Sequence, residues 1–180
     1  MKAVAPAAVF FGGAALAPFV VRDAFLLDSL VLILIWGTAA AAWNVAGGYA
    51  GQISLGHAAF FGIGAYASAL ATLKLERTAW EGMALAAVLA GVSGWGIGRL
   101  ALKLRGAYFV LVTISFAGVI SLVSVNWIEL TNGPLGLPGV PAPTLGPWSL
   151  RTKTVYYYLV LAAVALSYLV CRRLVRSRIG

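Results

Sequence analysis

The sequence GGYAGQISLGH, Gly47 to His57, lies in the middle of residues 29–73, which contain no aspartate, glutamate, lysine or arginine. A single helical membrane crossing requires about 20 largely apolar residues. The uncharged stretch is more than twice that length, so the chain must turn back within it. Within this apolar run, the residues that weaken a helix cluster in the glycine-rich sequence. It therefore predicts a break between two membrane-spanning helices.

The composition places the whole chain in the membrane class. Of its 180 residues, 62% are hydrophobic and 10% are charged, whereas about a quarter of the residues in a typical soluble domain are charged. The other uncharged stretches each have the length of one crossing. The sequence predicts an all-α, polytopic transmembrane bundle, one domain over residues 1–180, with about six spans at residues 6–21, 25–46, 53–73, 82–101, 106–127 and 155–171.

The basic residues predict the orientation of the chain. The formal net charge of +8 comes from short loops and from a C-terminal cluster of Arg172, Arg173, Arg176 and Arg178. This distribution is typical of topogenic signals and anionic lipid contact rather than of nucleic-acid binding. With the cluster placed inside, the alternation of six spans predicts that both termini lie in the cytoplasm. The aromatic run Tyr156–Tyr158 then falls near the outer interface, where such rings are enriched.

The chain lacks the residues that several classes of function require. The chain has one histidine, one cysteine and five acidic residues, and the predicted topology puts all the acidic residues on the outer side. We therefore expect no catalytic residue set, no metal site and no bound cofactor. No GxxxxGK[ST] sequence occurs, so an ATP-driven process would need another subunit for the nucleotide. A membrane enzyme that uses His57 remains an alternative, if the fold brings a polar partner to it.

The residue types in the break support two interpretations. Its flexible backbone comes from four glycines: Gly47, Gly48, Gly51 and Gly56. In the first interpretation, the segment is a turn at the cytoplasmic surface, and Ser54 caps a helix that starts at Leu55. In the second, a helix broken within the bilayer exposes N–H groups and a positive dipole end that suit a carboxylate. Gln52, Ser54 and His57 are then candidates for a substrate pathway.

Polar side chains inside the predicted spans extend the candidate pathway. After His57, the sequence HAAFFGIGAYASAL places Tyr66 on a helix rich in small residues that favour tight packing. Thr113 is one of several hydroxyl residues within residues 106–127. Such hydroxyls usually bond their own helix backbone, and a role in lining a pore is the alternative. Residues 128–154 form a proline-rich loop that we interpret either as a gate or docking surface or as a connector.

Two long blocks of the sequence are similar to a known family. Residues 44–73, NVAGGYAGQISLGHAAFFGIGAYASALATL, and residues 104–141, LRGAYFVLVTISFAGVISLVSVNWIELTNGPLGLPGVP, resemble the permease subunits of branched-chain amino acid ABC transporters, the M-type subunit in particular. The second block contains the family's LTxGPxGLxGIP loop, with Val140 where isoleucine is usual. The resemblance implies transport of leucine, isoleucine or valine. It also favours the interpretation of the break as part of the substrate pathway.

The same resemblance implies partners and a location. Such a permease pairs with a second permease subunit, docks a cytosolic ATPase and receives its ligand from a periplasmic binding protein, at the bacterial inner membrane. Members of the family are considerably longer, and this chain stops at RRLVRSRIG, residues 172–180, before the expected ATPase-coupling helix. We therefore expect a fragment, a truncated or split gene, or an engineered piece. A permease for urea or short amides and a non-transporting membrane scaffold remain alternatives.

Overall fold

The computed structural model describes residues 4–21, 23–145, 148–149 and 152–176, which are predominantly helical. Within these ranges, the two-residue strands β1, Thr144–Leu145, and β2, Trp148–Ser149, form one antiparallel pair. The prediction of an all-α fold is confirmed. The α-helices, in chain order, are α1 Val4–Val20, α2 Ala24–Asn44, α3 His57–Leu73, α4 Ala79–Ala101, α5 Ala107–Asn126, α6 Ile128–Thr131 and α7 Lys153–Arg176.

Each predicted span corresponds to one of the longer helices. Among the described residues, four helices are long and apolar enough to cross a membrane, by length and composition: α2 with the helical turn that follows it, α4, α5 and α7. Helices α1 and α3 have 17 residues each, which is about 26 Å at a rise of 1.5 Å per residue. Helix α3 is shorter than predicted because residues 53–56 are not helical.

Large apolar side chains cover the outside of the helices. Val20 is 82% exposed, Phe25 76% and Trp95 64%. This exposure would be unfavourable in water, but lipid tails are as apolar as these side chains, so they suit a helix that faces lipid. Together with the long apolar helices, the exposed faces identify a membrane-embedded protein.

The described helices form two compact units. The first unit contains α1, α2 and α7, and its buried core includes Leu34, Val160 and Leu161. The second unit contains α3 to α6 and the strand pair. There α3 and α4 approach closely through small residues, since a Cβ atom added to Gly82 would lie 3.0 Å from the carbonyl oxygen of Ser68. The expectation of a single domain stays a prediction.

The core of the first unit contains a buried tyrosine that donates a hydrogen bond which a proline in α1 cannot make. Tyr157 is 1% exposed, and its hydroxyl donates a hydrogen bond to the Ala14 carbonyl oxygen at 2.8 Å. Pro18, four residues after Ala14, has no N–H and cannot make the usual bond to that carbonyl within α1. Tyr157 supplies the missing donor. The expectation that the aromatic run lies near the outer interface of the membrane stays a prediction, and the structure adds that the Tyr157 ring is buried between helices.

Replacing Tyr157 by phenylalanine is expected to lower the free energy of unfolding by about 1 kcal/mol, because the partly buried Ala14 carbonyl loses its donor. Tyr158→Phe is the matched control, because the Tyr158 hydroxyl donates to the Ala15 carbonyl at 2.9 Å. That carbonyl keeps the Phe19 N–H as a helical donor, so a smaller loss is expected. Denaturation in mixed micelles measures both values. Equal losses in the two variants would contradict the role given to Pro18.

Candidate functional site

The break between α2 and α3 begins later in the chain than its first glycines suggest. Helix α2 continues into a wider π-helical turn, Val45–Tyr49. Gly47 and Gly48 lie in this turn, so they remain helical and do not form the break that was predicted there. The non-helical segment runs over residues 50–56. A single π turn at the end of an α-helix is a feature that is frequent at functional sites.

Gly51 ends the helical turn. Its φ angle is +67°, in the left-handed region that only glycine adopts without strain. The backbone N–H of Gln52 then reaches back to the Ala46 carbonyl oxygen at 3.0 Å. A glycine in this conformation, followed by a bond spanning six residues, is the usual way to terminate a helix and satisfy its last carbonyls. Gln52 itself lies within the break and is half-buried.

The second half of the break packs against α5. Ser54 and Thr113 are each 5% exposed. The Leu55 N–H donates to Thr113 Oγ1 at 3.2 Å, and Thr113 Oγ1 in turn donates to the Val110 carbonyl at 2.9 Å. A Cβ atom on Gly56 would lie 3.0 Å from the Thr113 carbonyl oxygen. The break is therefore held to α5 by one hydroxyl and by a close contact at Gly56.

Helix α3 begins at His57, and the prediction that Ser54 caps a helix starting at Leu55 is wrong. The residue before the helix is Gly56, which has no side chain that could cap it. The Ser54 Oγ atom instead accepts a hydrogen bond from the Gly56 N–H at 3.3 Å. This local serine bond stabilises a turn in competition with a helix.

His57 occupies the first turn of α3 and is half-buried. Its ring meets Phe60 edge-on, with centroids 6.2 Å apart, and Phe60 packs on Phe116 of α5 at 5.4 Å. The Nδ1 atom is buried, and no described residue forms a hydrogen bond with it. A buried polar atom without a protein partner is uncommon. No group of three potential metal ligands occurs among the described residues.

Tyr66 lies apart from the break. It lines a cavity of about 460 Å³ between α3 and α5 whose walls also include Ala59, Gly62 and Ser121. Tyr66 follows His57 by nine residues, about 13 Å along the helix. The structure therefore brings Gly56 into contact with both Ser54 and Thr113, has Gln52 and His57 close by in the chain, and puts Tyr66 further along α3. The lining starts at Ala58, directly after His57.

The first part of the loop after α5 is a folded cap that the sequence did not reveal. Thr131 is buried, and its hydroxyl lies 2.7 Å from the carbonyl oxygens of both Ser124 and Trp127. Asn132 has a left-handed backbone, and its side-chain amide donates to the Gly136 carbonyl at 2.8 Å. The sequence TNGP contained this signal, since asparagine and glycine tolerate left-handed turns. Only the contact with α5 distinguishes such a cap from an ordinary turn.

Replacing Thr113 by valine is expected to destabilise the protein by about 1 kcal/mol, because the Leu55 N–H loses its acceptor in a partly buried hydrogen bond. Thr113→Ser is the matched control, since serine keeps the hydroxyl and loses only a methyl group. Thermal unfolding in detergent measures both variants, and amide hydrogen exchange at residues 53–56 shows whether the break is loosened. A Thr113→Val protein with unchanged exchange at these residues would contradict the anchoring role.

Comparisons with known proteins agree with one another. The family described as branched-chain amino acid transport system, permease component, matches residues 25–180. Two relatives are high-affinity branched-chain amino acid transport system permease proteins LivM, from Escherichia coli (strain K12) and from Salmonella typhimurium (strain LT2). Each is 30% identical over 186 aligned positions, which cover 91% of this chain and 44% of the relative. The chain thus spans less than half the length of these relatives. No solved structure matches it.

Proposed function

Because this chain belongs to the family of branched-chain amino acid transport permease components, we propose that it is an M-type permease subunit of an ATP-driven importer for leucine, isoleucine and valine. Its role is to form part of the path along which the amino acid crosses the membrane. The names of the two LivM relatives support this substrate class.

The observation that carries the proposal is the burial of Ser54 and Gly56 within the break between α2 and α3. Non-helical backbone within a bilayer is tolerated only where protein covers it or where it lines a cavity. Ser54 and Gly56 are buried, Gly56 lies against Thr113, and the cavity along α3 starts one residue after His57. These contacts favour a pathway element over a surface turn, where the backbone would bond water and need no such cover.

The chemistry of the break suits an amino acid with an apolar side chain. The start of α3 presents the positive end of a helix dipole, which favours a carboxylate. Gln52 and the imidazole of His57 add polar groups close to that end. The cavity between α3 and α5 is lined mainly by apolar residues such as Ala59, Ile63 and Ile120. We place the carboxylate near His57 and the aliphatic side chain toward this cavity, with Tyr66 and Thr113 along the same path.

The proposed partners follow from the family description, which names a component of a transport system. They are a second permease subunit, cytosolic ATPase subunits and a periplasmic substrate-binding protein. In this arrangement the chain lies in the bacterial inner membrane with both termini in the cytoplasm, where the basic residues Arg172 and Arg173 favour retention. Co-purification of an ATPase and a binding protein with the chain tests this assembly.

Alanine at Gln52 or at His57 is expected to reduce uptake of radiolabelled leucine about tenfold or more, because a hydrogen bond to a charged ligand contributes about 1.5–3 kcal/mol. The measurement uses the assembled transporter in proteoliposomes, with membrane insertion checked by quantifying the protein. Ser93→Ala is the matched control, since the Ser93 hydroxyl donates to the Leu89 carbonyl of its own helix at 2.8 Å. It is expected to leave uptake unchanged.

The outcomes of this experiment separate the alternatives. Normal leucine uptake by both variants would contradict the assignment of the site. Uptake of urea or a short amide in place of leucine would assign the chain to the related importers of urea and short amides. Absence of any uptake from the assembled system would favour a scaffold. Turnover of a substrate that requires His57 without transport would favour a membrane enzyme.

A further inference from the structure

The unit formed by α1, α2 and α7 contains an apolar groove that the transport proposal does not use. Its volume is about 820 Å³, and its walls include Phe10, Phe11, Ile33, Gly37 and Cys171. Pockets that hold small molecules usually measure about 300–1,000 Å³. The groove lies between helices that carry no charged residue along its length, so whatever fills it is hydrocarbon over most of its extent.

The walls of the groove are mainly apolar, and the Thr38 hydroxyl among them does not require a polar ligand. The Thr38 hydroxyl donates to the Leu34 carbonyl of its own helix at 2.8 Å. The Tyr168 ring packs against Phe11 with centroids 5.8 Å apart. A continuous hydrocarbon chain therefore fits this surface better than a sugar or a peptide, whose polar groups would be left without partners.

One end of the groove carries positive charge. Cys171 lines the groove, and Arg172 follows it directly, four residues after the lining residue Tyr168 and therefore on the same helix face. Arg172 is half-buried and Arg173 is exposed. Among the described residues, the ion pair of this unit joins Lys153 to Asp28, which is about 28 Å away along α7. In the part of this unit that the structure describes, neither arginine therefore has an acidic neighbour.

We propose that this groove binds an acyl chain of an anionic phospholipid whose phosphate is held by Arg172, with Arg173 adding positive potential. Basic residues at the end of an apolar crevice between membrane helices provide this recognition. The charge also argues against a second copy of this chain as the occupant. Copies in one membrane share one orientation, so their arginine clusters would meet at the same depth and repel.

The experiment places the protein in lipid nanodiscs and attaches a small bimane fluorophore to Cys171, the one cysteine of the chain. Quenching is compared for phosphatidylglycerol and phosphatidylcholine with brominated acyl chains, at the same total bromolipid content. We expect a preference of about tenfold for phosphatidylglycerol at this position, as two arginines near an anionic headgroup would give. Arg172→Gln with Arg173→Gln is expected to abolish the preference.

Two control variants test the two halves of the site separately. Lys103→Gln with Arg105→Gln removes the same charge from the second unit and is expected to keep the preference. Gly37→Leu is expected to reduce quenching by both lipids, because a Cβ atom at Gly37 points into open space within the groove. Gly12→Leu is the matched control, since its Cβ atom also meets open space but Gly12 does not line the groove.

Several results would overturn the proposal. Equal quenching by the two lipids in the unaltered protein would exclude recognition of the headgroup. A preference that survives in the arginine variant, or that is lost equally in the Lys103 and Arg105 variant, would assign it to another site or to the general surface charge. Absence of quenching by either lipid would mean that protein covers the groove. Unchanged quenching in Gly37→Leu would show that the acyl chain lies elsewhere.

Discussion

Valine in place of Gly56 is expected to destabilise the protein by about 3 kcal/mol, the upper end of the cost of overpacking a well-packed site, and to abolish leucine uptake. Its Cβ atom would lie 3.0 Å from the Thr113 carbonyl oxygen and 3.4 Å from the Thr113 Cβ atom. Gly56 has a φ angle of −86°, which any residue can adopt. The whole effect therefore comes from the contact with α5 and not from backbone strain.

Helix α5 cannot yield easily at this contact. Thr113 is fixed by its bonds with Leu55 and Val110, so a side chain at Gly56 must push the break away from α5. Gly56→Ala is expected to show an intermediate loss. Gly118→Ala in α5 is the matched control, because its Cβ atom would meet no other atom within 4 Å. This variant is expected to be as stable as the unaltered protein or more stable, since alanine in a helix is up to about 1 kcal/mol more favourable than glycine.

Two measurements, of stability and of uptake, test this prediction. The free energy of unfolding is measured by denaturation in mixed micelles, and uptake is measured in proteoliposomes that contain the assembled transporter. A Gly56→Val protein with normal stability and normal uptake would show that the break does not rest on α5. Reduced stability with normal uptake would support the contact between the break and α5, but it would show that the break is not part of the substrate path.

Alanine in place of Gly133 is expected to lower the free energy of unfolding by about 3 kcal/mol, because two costs add. The φ angle of Gly133 is +58°, and a left-handed backbone costs a residue with a Cβ atom about 1–2 kcal/mol. The added atom would also lie 2.9 Å from the Val125 carbonyl oxygen, which belongs to the last turn of α5. Overpacking of this kind costs about 1–3 kcal/mol.

Gly139→Ala separates the two costs at Gly133. Gly139 has a φ angle of +81°, but its Cβ atom would meet no other atom within 4 Å. It is therefore expected to lose about 1 kcal/mol from backbone strain alone. Limited proteolysis within residues 137–143 reports whether the cap after α5 is released. If the two variants lost the same stability, the close contact between Gly133 and Val125 would have no energetic role.

The difference between predicted and observed structure is concentrated at the break. The prediction of a turn within residues 29–73 was correct. The sequence also predicted that Gly47 and Gly48 lie in the break and that the next span begins at residue 53, or at Leu55 if Ser54 capped it. In the structure the helical turn absorbs both glycines, and Gly51 ends it. Adjacent glycines weaken a helix without specifying which of them adopts a left-handed backbone, so composition alone could not locate the end.

The substrate-pathway assignment of Gln52, Ser54, His57, Tyr66 and Thr113 stays a proposal, although the structure shows how these residues are arranged. Contact between Leu55 and Thr113 joins residues that are 58 positions apart in the chain. No local pattern predicts which turn of α5 faces the break. The hydroxyl of Thr113 does bond its own helix, as expected for such residues, and the same oxygen also accepts from the break.

The sequence by itself determined the class of the protein, the positions of its membrane helices and the need for a break, because hydrophobicity along the chain is a local property that the bilayer thickness converts directly into helix lengths. Only the tertiary structure decided which faces meet: Tyr157 against the carbonyl freed by Pro18, Gly56 against Thr113, and Gly82 against Ser68. Membrane helices are apolar on every side because lipid and neighbouring helices are equally apolar. Their sequences therefore do not mark the packed face, and close packing between distant residues selects it.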